Sequence, residues 1–233
     1  MNEYKLYKCQ ICGDPYLGDD APINCPYCGA KKHYFVDAHD YVNKFEQENN
    51  FSDDEKNNFK SALDIEIGNA SFYKAAAEIS TEDIHKWLFK ALMKVESEHA
   101  SIFSKHLKIT KPALFDVEAS TDGEVNLQES HRREQIAIES YRKFAEAATS
   151  PRAKEVFSAL VEIENDHLGL EDWSTIDGLT NTGNDWVVTL GFYASILMWN
   201  MKFRAVIIST VVRCSQGVED ANMGRRWRLS QGN

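Results

Sequence analysis

The stretch EIGNASFYKAAAEISTEDIHKWLFKALMKVESEH, residues 66–99, aligns without a gap on EQIAIESYRKFAEAATSPRAKEVFSALVEIENDH, residues 134–167. Eleven of the 34 positions are identical, among them Glu66/Glu134, Tyr73/Tyr141, Ala77/Ala145, Phe89/Phe157, Leu92/Leu160, Glu96/Glu164 and His99/His167. Self-similarity over such a length marks a duplicated supersecondary unit. Each copy reads as a helical hairpin.

Local signals around the repeat predict four helices. Ser52-Asp53-Asp54-Glu55 supplies a cap and a capping-box acid, and the first helix runs to about Ile79. Ser80 or Thr81 caps the second, which runs to about Leu107. Lys108 to Val125, with Pro112 and Gly123, reads as a long connection. The third helix spans roughly Asn126 to Ala148. Ser150-Pro151 starts the fourth, which runs to about Trp173. Two tight hairpins joined by one long crossover form the ferritin-like four-helix bundle. The fold class is therefore mainly α.

The matched acids fall at one depth. Glu66 and Glu96 lie 30 residues apart with Thr81 at the midpoint. Each is about 22 Å from the turn along its own helix, so in an antiparallel hairpin they meet at one height. Glu134 and Glu164 repeat this around Thr149. Apolar residues surround each acid at helical spacing: Phe59, Leu63, Ala70, Tyr73 and Ala77 near Glu66; Phe89, Leu92, Val95 and Phe103 near Glu96; Phe157, Leu160 and Ile163 near Glu164. Helical periodicity turns such positions inward. Four buried carboxylates at one level repel unless cations neutralise them. Glu96-x-x-His99 and Glu164-x-x-His167 each share one helix face. One such pair alone is commonplace. Two, in register with Glu66 and Glu134, make the ligand set of a di-iron or di-manganese carboxylate site.

Upstream stand Cys9-Gln10-Ile11-Cys12-Gly13 and Cys25-Pro26-Tyr27-Cys28-Gly29. Two such turns present four thiolates to one tetrahedral ion, Zn or Fe. The chain thus divides into residues 1–36, a Cys₄ metal knuckle; 37–174, the helical bundle; and 175–233, an apolar extension. Cys214, in the extension, reads as an inert thiol. The net charge of −10 excludes a nucleic-acid backbone as partner. Met1 to Lys8 lacks an apolar signal region, and the uncharged run Trp186–Met201 is short for a membrane span, so a cytoplasmic location is expected. The run reads as an element packed on the bundle or on a dimer partner, and Gly224-Arg225-Arg226-Trp227-Arg228 as a solvated basic tip.

Taken together, residues 4–172 resemble the rubrerythrin family, with the rubredoxin-like part first instead of last. The resemblance implies an Fe at Cys9, Cys12, Cys25 and Cys28, and two Fe ions at Glu66, Glu96, His99, Glu134, Glu164 and His167. It places Tyr73 and Tyr141 beside the di-iron site, where a tyrosine or a protonated Glu would supply protons. It implies reduction of hydrogen peroxide to water, an NAD(P)H-linked reductase as electron donor, and a homodimer pairing one chain's knuckle with the other's bundle. One departure bears on mechanism. Typical members carry a second Glu one turn into the third helix, where this chain has Ala137 and Ile138, with Glu139 facing away. The remaining six-ligand set is that of ferritin-like ferroxidases, an alternative to the peroxidase. A zinc-ribbon binding module on a metal-stabilised bundle is the non-enzymatic alternative.

Overall fold

The computed structural model describes residues 4–47 and 50–170. Among these, a three-stranded antiparallel sheet precedes four long helices. Strands β1 (Lys5–Cys9), β2 (Pro15–Gly18) and β3 (Phe35–Asp37) lie in the order β2-β1-β3. Lys5 pairs with Gly18 on one side of β1, and Cys9 pairs with Phe35 on the other. A sheet this small buries little core of its own. Its organisation comes from the two Cys-x-x-Cys turns. Gly13 and Gly29 take φ of +84° and +79°, and their N–H groups donate back to the Cys9 and Cys25 carbonyls, both at 2.9 Å. A side chain at either position would strain that backbone.

The helices are α1 (Asp53–Ile79), α2 (Asp83–Leu107), α3 (Gly123–Ala147) and α4 (Pro151–Leu170). α1 opens with a complete capping box between Ser52 and Glu55. Two helix starts differ from the sequence reading, for local reasons. Ser80 does not cap α2: its hydroxyl donates back to the Ala76 carbonyl at 2.6 Å and closes α1, leaving Glu82 as the N-cap of α2. α3 begins at Gly123, not Asn126, because Asp122 accepts from the Glu124 N–H at 3.0 Å. Asn126 instead ties back to Ser120 through its side-chain amide. The crossover, residues 109–121, is pinned where the Phe115 N–H donates to Ser71 Oγ at 3.2 Å and Lys111 Nζ donates to the Ser97 carbonyl at 3.0 Å.

The inward stripes form two apolar clusters. Phe59, Phe103, Phe157 and Tyr141 belong to one; Phe72, Tyr73, Phe89, Leu92 and Leu127 form the other. Glu66 lies seven residues from Phe59 and seven from Tyr73, so the acid layer sits between the clusters. No helix among the described residues is long and apolar enough to cross a membrane. The extension at 175–233, its uncharged run, its basic tip, Cys214 and the expected end of the fourth helix at Trp173 lie outside the described residues.

Glu55 also joins the hairpins. Its Oε2 completes the capping box, while its Oε1 accepts from the Thr149 N–H at 3.0 Å and the Ser150 N–H at 2.7 Å, at the α3–α4 turn. These bonds outweigh its burial and hold its carboxyl below the ordinary range. Replacing it removes three charge-assisted bonds to N–H donors at half-buried helix ends, at about 1 kcal/mol each. Glu55→Ala is expected to lower stability by about 3 kcal/mol, and Glu55→Gln by less, in urea unfolding.

Candidate metal centre

Each helix contributes at the same level: Glu66 from α1, Glu96 and His99 from α2, Glu134 from α3, Glu164 and His167 from α4. The four glutamates and His99 are fully buried, and His167 is 6% exposed. They fall into two overlapping groups, Glu66-Glu96-His99-Glu164 and Glu96-Glu134-Glu164-His167, each with its candidate ligand atoms within 4.8 Å of one another. Glu96 and Glu164 belong to both, the position of bridging ligands. His99 Nδ1 stands 2.9 Å from Glu96 Oε2 and 3.2 Å from Glu164 Oε1. His167 Nδ1 stands 2.7 Å from Glu164 Oε2 and 3.1 Å from Glu96 Oε1. The imidazoles are nearly parallel, at 14°, with centroids 6.0 Å apart. The repeat offset exchanges one group with the other.

The residues fit a pair of cations. Glu66 Oε2, Glu96 Oε1, Glu134 Oε2, both oxygens of Glu164 and His167 Nδ1 are buried without a well-aligned hydrogen bond, facing one another across the site at distances as short as 2.7 Å. Two carboxylates 4 Å apart repel by about 4 kcal/mol near a protein surface, and by more in a dry interior. Burial first, then neighbouring carboxylates, push Glu66 and Glu134 well above the ordinary range. Burial would raise Glu96 too, but the His99 and His167 charges outweigh it and hold Glu96 low. Burial opposes protonation of both imidazoles, and the surrounding carboxylates override it. Without metal, such a site must trap protons to survive. Two divalent ions would balance the four negative charges directly.

Tyr73 and Tyr141 cross between the hairpins. Tyr73 donates from α1 to Glu134 on α3, and Tyr141 donates from α3 to Glu66 Oε1 on α1 at 2.5 Å. Both rings are fully buried. Burial, then the Glu66 charge, raises the Tyr141 phenol well above its usual range. The pair is not symmetric in surroundings. Ser130 Oγ donates to the Tyr73 hydroxyl at 2.9 Å, whereas the repeat counterpart of Ser130 is Ala62.

The knuckle fits one tetrahedral ion. Cys9 Sγ lies 3.8 Å from Cys28 Sγ, and Cys12 Sγ lies 3.7 Å from Cys25 Sγ. Four metal–sulfur bonds of about 2.3 Å in a tetrahedron separate the sulfurs by about 3.8 Å. All four cysteines are buried and free of disulfides. Bonds from the other thiols, Cys12 first, draw Cys9 far below the thiol range, while burial pushes Cys28 far above it. Four buried thiolates at this spacing need a cation to neutralise them.

The knuckle rests on the α2/α4 face of its own bundle. His99 Nε2 bonds the Cys28 carbonyl at 3.0 Å, so one imidazole touches both candidate sites. Lys105 Nζ donates to the Cys12 carbonyl at 3.1 Å, and Arg152 Nη2 to the Ile11 carbonyl at 3.2 Å. Lys31 and Asn24 reach Asp166, and Lys44 reaches Glu155 Oε1 at 2.7 Å. Ala137 and Ile138 are buried and Glu139 is exposed, so α3 offers no carboxylate beyond Glu134 at this level. The sequence reading passed over Lys105, Arg152, Ser130 and the outer nitrogen of His99. A cation in the first turn of a helix, against its dipole, was the available signal for Arg152.

Comparison with known proteins agrees with this geometry. The model described as "Rubrerythrin, rubredoxin-like domain" matches residues 7–36, and that described as "Rubrerythrin" matches residues 57–170. Reverse rubrerythrin-1 of Clostridium acetobutylicum is 27% identical over 159 residues, covering 62% of this chain and 80% of that relative. No solved structure matches the chain significantly.

Removing charge from the acid layer is expected to separate stability from metal binding. Glu66→Gln combined with Glu134→Gln leaves the metal-free protein melting no lower than the parent, because repulsion is relieved. The same protein loses most of the stabilisation that Fe(II) gives the parent, about 2.7 kcal/mol at a hundredfold excess over Kd. Anaerobic thermal unfolding with and without Fe(II) measures both.

Proposed function

The chain belongs to the rubrerythrin family, and from that premise we propose that it reduces hydrogen peroxide to water at an iron pair in the bundle, drawing electrons through an iron in the knuckle. The observation that carries this reading is the bond between His99 Nε2 and the Cys28 carbonyl at 3.0 Å. It links the two candidate sites through a single side chain, which a purely structural zinc knuckle does not require. Each turnover takes one peroxide, two electrons and two protons to two waters. An iron pair, when bound, supplies electrons to the O–O bond.

The chain's own residues divide the remaining work. Glu96 and Glu164 would bridge, with Glu66 and His99 completing one half and Glu134 and His167 the other. Tyr73 and Tyr141 hold protons on phenolic oxygens that donate to Glu134 and Glu66. Both tyrosines would deliver protons as peroxide is cleaved. The knuckle covers the α2/α4 face, so electrons arrive there, and the α1/α3 side carrying the tyrosines is left for peroxide. An external NAD(P)H-linked reductase would supply the knuckle. The free thiols suit a reducing compartment, in keeping with oxidative-stress defence in a cytoplasmic setting. The homodimer that the family implies is not needed to bring knuckle and bundle together, since they already touch within one chain.

A second reading has an observation of its own. Buried Ala137 and Ile138 leave the symmetric six-ligand set of a ferroxidase, in which O₂ or peroxide oxidises Fe(II) for storage. The knuckle beside His99 weighs against it, because storage needs no dedicated reductant. A zinc-ribbon binding module leaves the six-ligand layer without a role.

Metal analysis and turnover separate these. The proposal expects three irons per chain and NADH-driven peroxide consumption with a reductase, faster than O₂ consumption. Zinc in the knuckle, or faster turnover of O₂, would sink it. Tyr73→Phe combined with Tyr141→Phe is expected to slow peroxide consumption about a hundredfold while metal content stays unchanged.

A further inference from the structure

We propose that Lys105 and Arg152 set the reduction potential of the knuckle by presenting positive charge to the two peptide groups that flank Cys12. This rests on the reading that the knuckle holds iron. The Ile11 and Cys12 carbonyls belong to the peptide units on either side of the Cys12 Cα. Arg152 Nη2 donates to the first at 3.2 Å and Lys105 Nζ to the second at 3.1 Å. Neither cation comes from the knuckle. Lys105 lies in the last turn of α2, and Arg152 in the first turn of α4.

Three observations set these contacts apart from ordinary packing. A cation in the first turn opposes the helix dipole, yet Arg152 is only 6% exposed there. It is held by the Ile11 carbonyl, by Glu155 Oε2 at 2.8 Å and by His106 Nε2 at 3.3 Å. Next, the repeat counterpart of Arg152 is Ile84 and Lys105 lies past the end of the repeat at His99, so neither cation belongs to the duplicated scaffold. Lastly, the bundle takes the carbonyl of the second cysteine in both loops. It uses His99, a candidate metal ligand, at Cys28, and an ammonium at Cys12. One contact belongs to electron exit and the other supplies charge.

The chemistry is a one-electron change with no bond made or broken and no proton moved. Four thiolates leave a ferric site with one net negative charge and a ferrous site with two. Nearby positive charge stabilises the more negative state and raises the potential. Glu155 and Glu98 partner the same two cations and offset part of that effect. The knuckle is thereby poised to take an electron from a weak donor of the NAD(P)H-reductase class.

The test is an equilibrium redox titration of the iron-loaded full chain with mediator dyes, read from the knuckle's visible absorption. Lys105→Gln and Arg152→Gln are each expected to raise the oxidised-to-reduced ratio at fixed potential roughly tenfold, equivalent to 59 mV for one electron. Lys105→Arg should stay near the parent. Lys44→Gln is the control: it removes a cation at the same interface that bonds the side chains of Glu155 and Gln10. Its shift should be at least threefold smaller. A metal-replete Lys105→Gln protein with the parent potential overturns the proposal, and so does a shift matched by Lys44→Gln. Zinc in the knuckle overturns the peroxidase reading and this inference together. Should Arg152→Gln fail to fold, Lys105→Gln decides alone, because Lys105 is 42% exposed and separable from the core.

Discussion

Four carboxylates held at one depth in a dry bundle form the constraint from which the rest of this structure follows. Burying such charge without compensation costs more than a small bundle can supply. The layer persists because apolar clusters above and below it fix its depth, and because cations can occupy its centre. The oxygens of Glu66, Glu96, Glu134 and Glu164 that lack a well-aligned hydrogen bond are the atoms such cations would satisfy. An apolar layer in their place would give a more stable protein with no redox chemistry.

Duplication supplies the ligands twice, and the surroundings then make the halves unequal. His99 bonds the knuckle through its outer nitrogen, so one half-site adjoins the four cysteines. Tyr73 accepts from Ser130 while also donating to Glu134, whereas the counterpart of Ser130 beside Tyr141 is Ala62. A phenol bonded on both sides is held more tightly in one orientation than a phenol bonded on one. The symmetry of the ligand set thus need not extend to proton delivery. The docking of the knuckle is one-sided as well, because the carbonyls of Cys28, Cys12 and Ile11 bond side chains of α2 and α4.

The bundle was legible in the sequence because its determinants are side-chain identities at fixed spacing. Helical period, a repeat offset and one central turn are enough to bring Glu66, Glu96, Glu134 and Glu164 level. Helix ends were less legible. Ser80 and Asn126 both looked like starts, and each spends its side chain on a local bond that only the folded backbone makes available. The docking of the knuckle was not legible at all. Its main contacts run from His99, Lys105 and Arg152 to the carbonyls of Cys28, Cys12 and Ile11. A carbonyl is common to every residue, so no spacing or composition marks which one will be chosen.

That same feature makes the carbonyl contacts of the interface independent of the order of the two domains along the chain. The interface is built from side chains of α2 and α4 reaching backbone of the Cys loops, and none of it depends on which domain is made first. The connection from residue 38 to residue 52 spans fifteen residues, about 50 Å when extended, ample to reach either end of a bundle of this size. What the connection must do is avoid raising the entropy of docking, and it contributes to the interface itself. Phe45 and Phe51 lie against His106, with ring centroids 4.6 and 5.8 Å away, and Lys44 reaches Glu155. A tether that packs leaves the knuckle few alternatives to the α2/α4 face. The position of the knuckle is thus set in part by burial of this connection beside His106, a contribution that belongs to this order of the two domains.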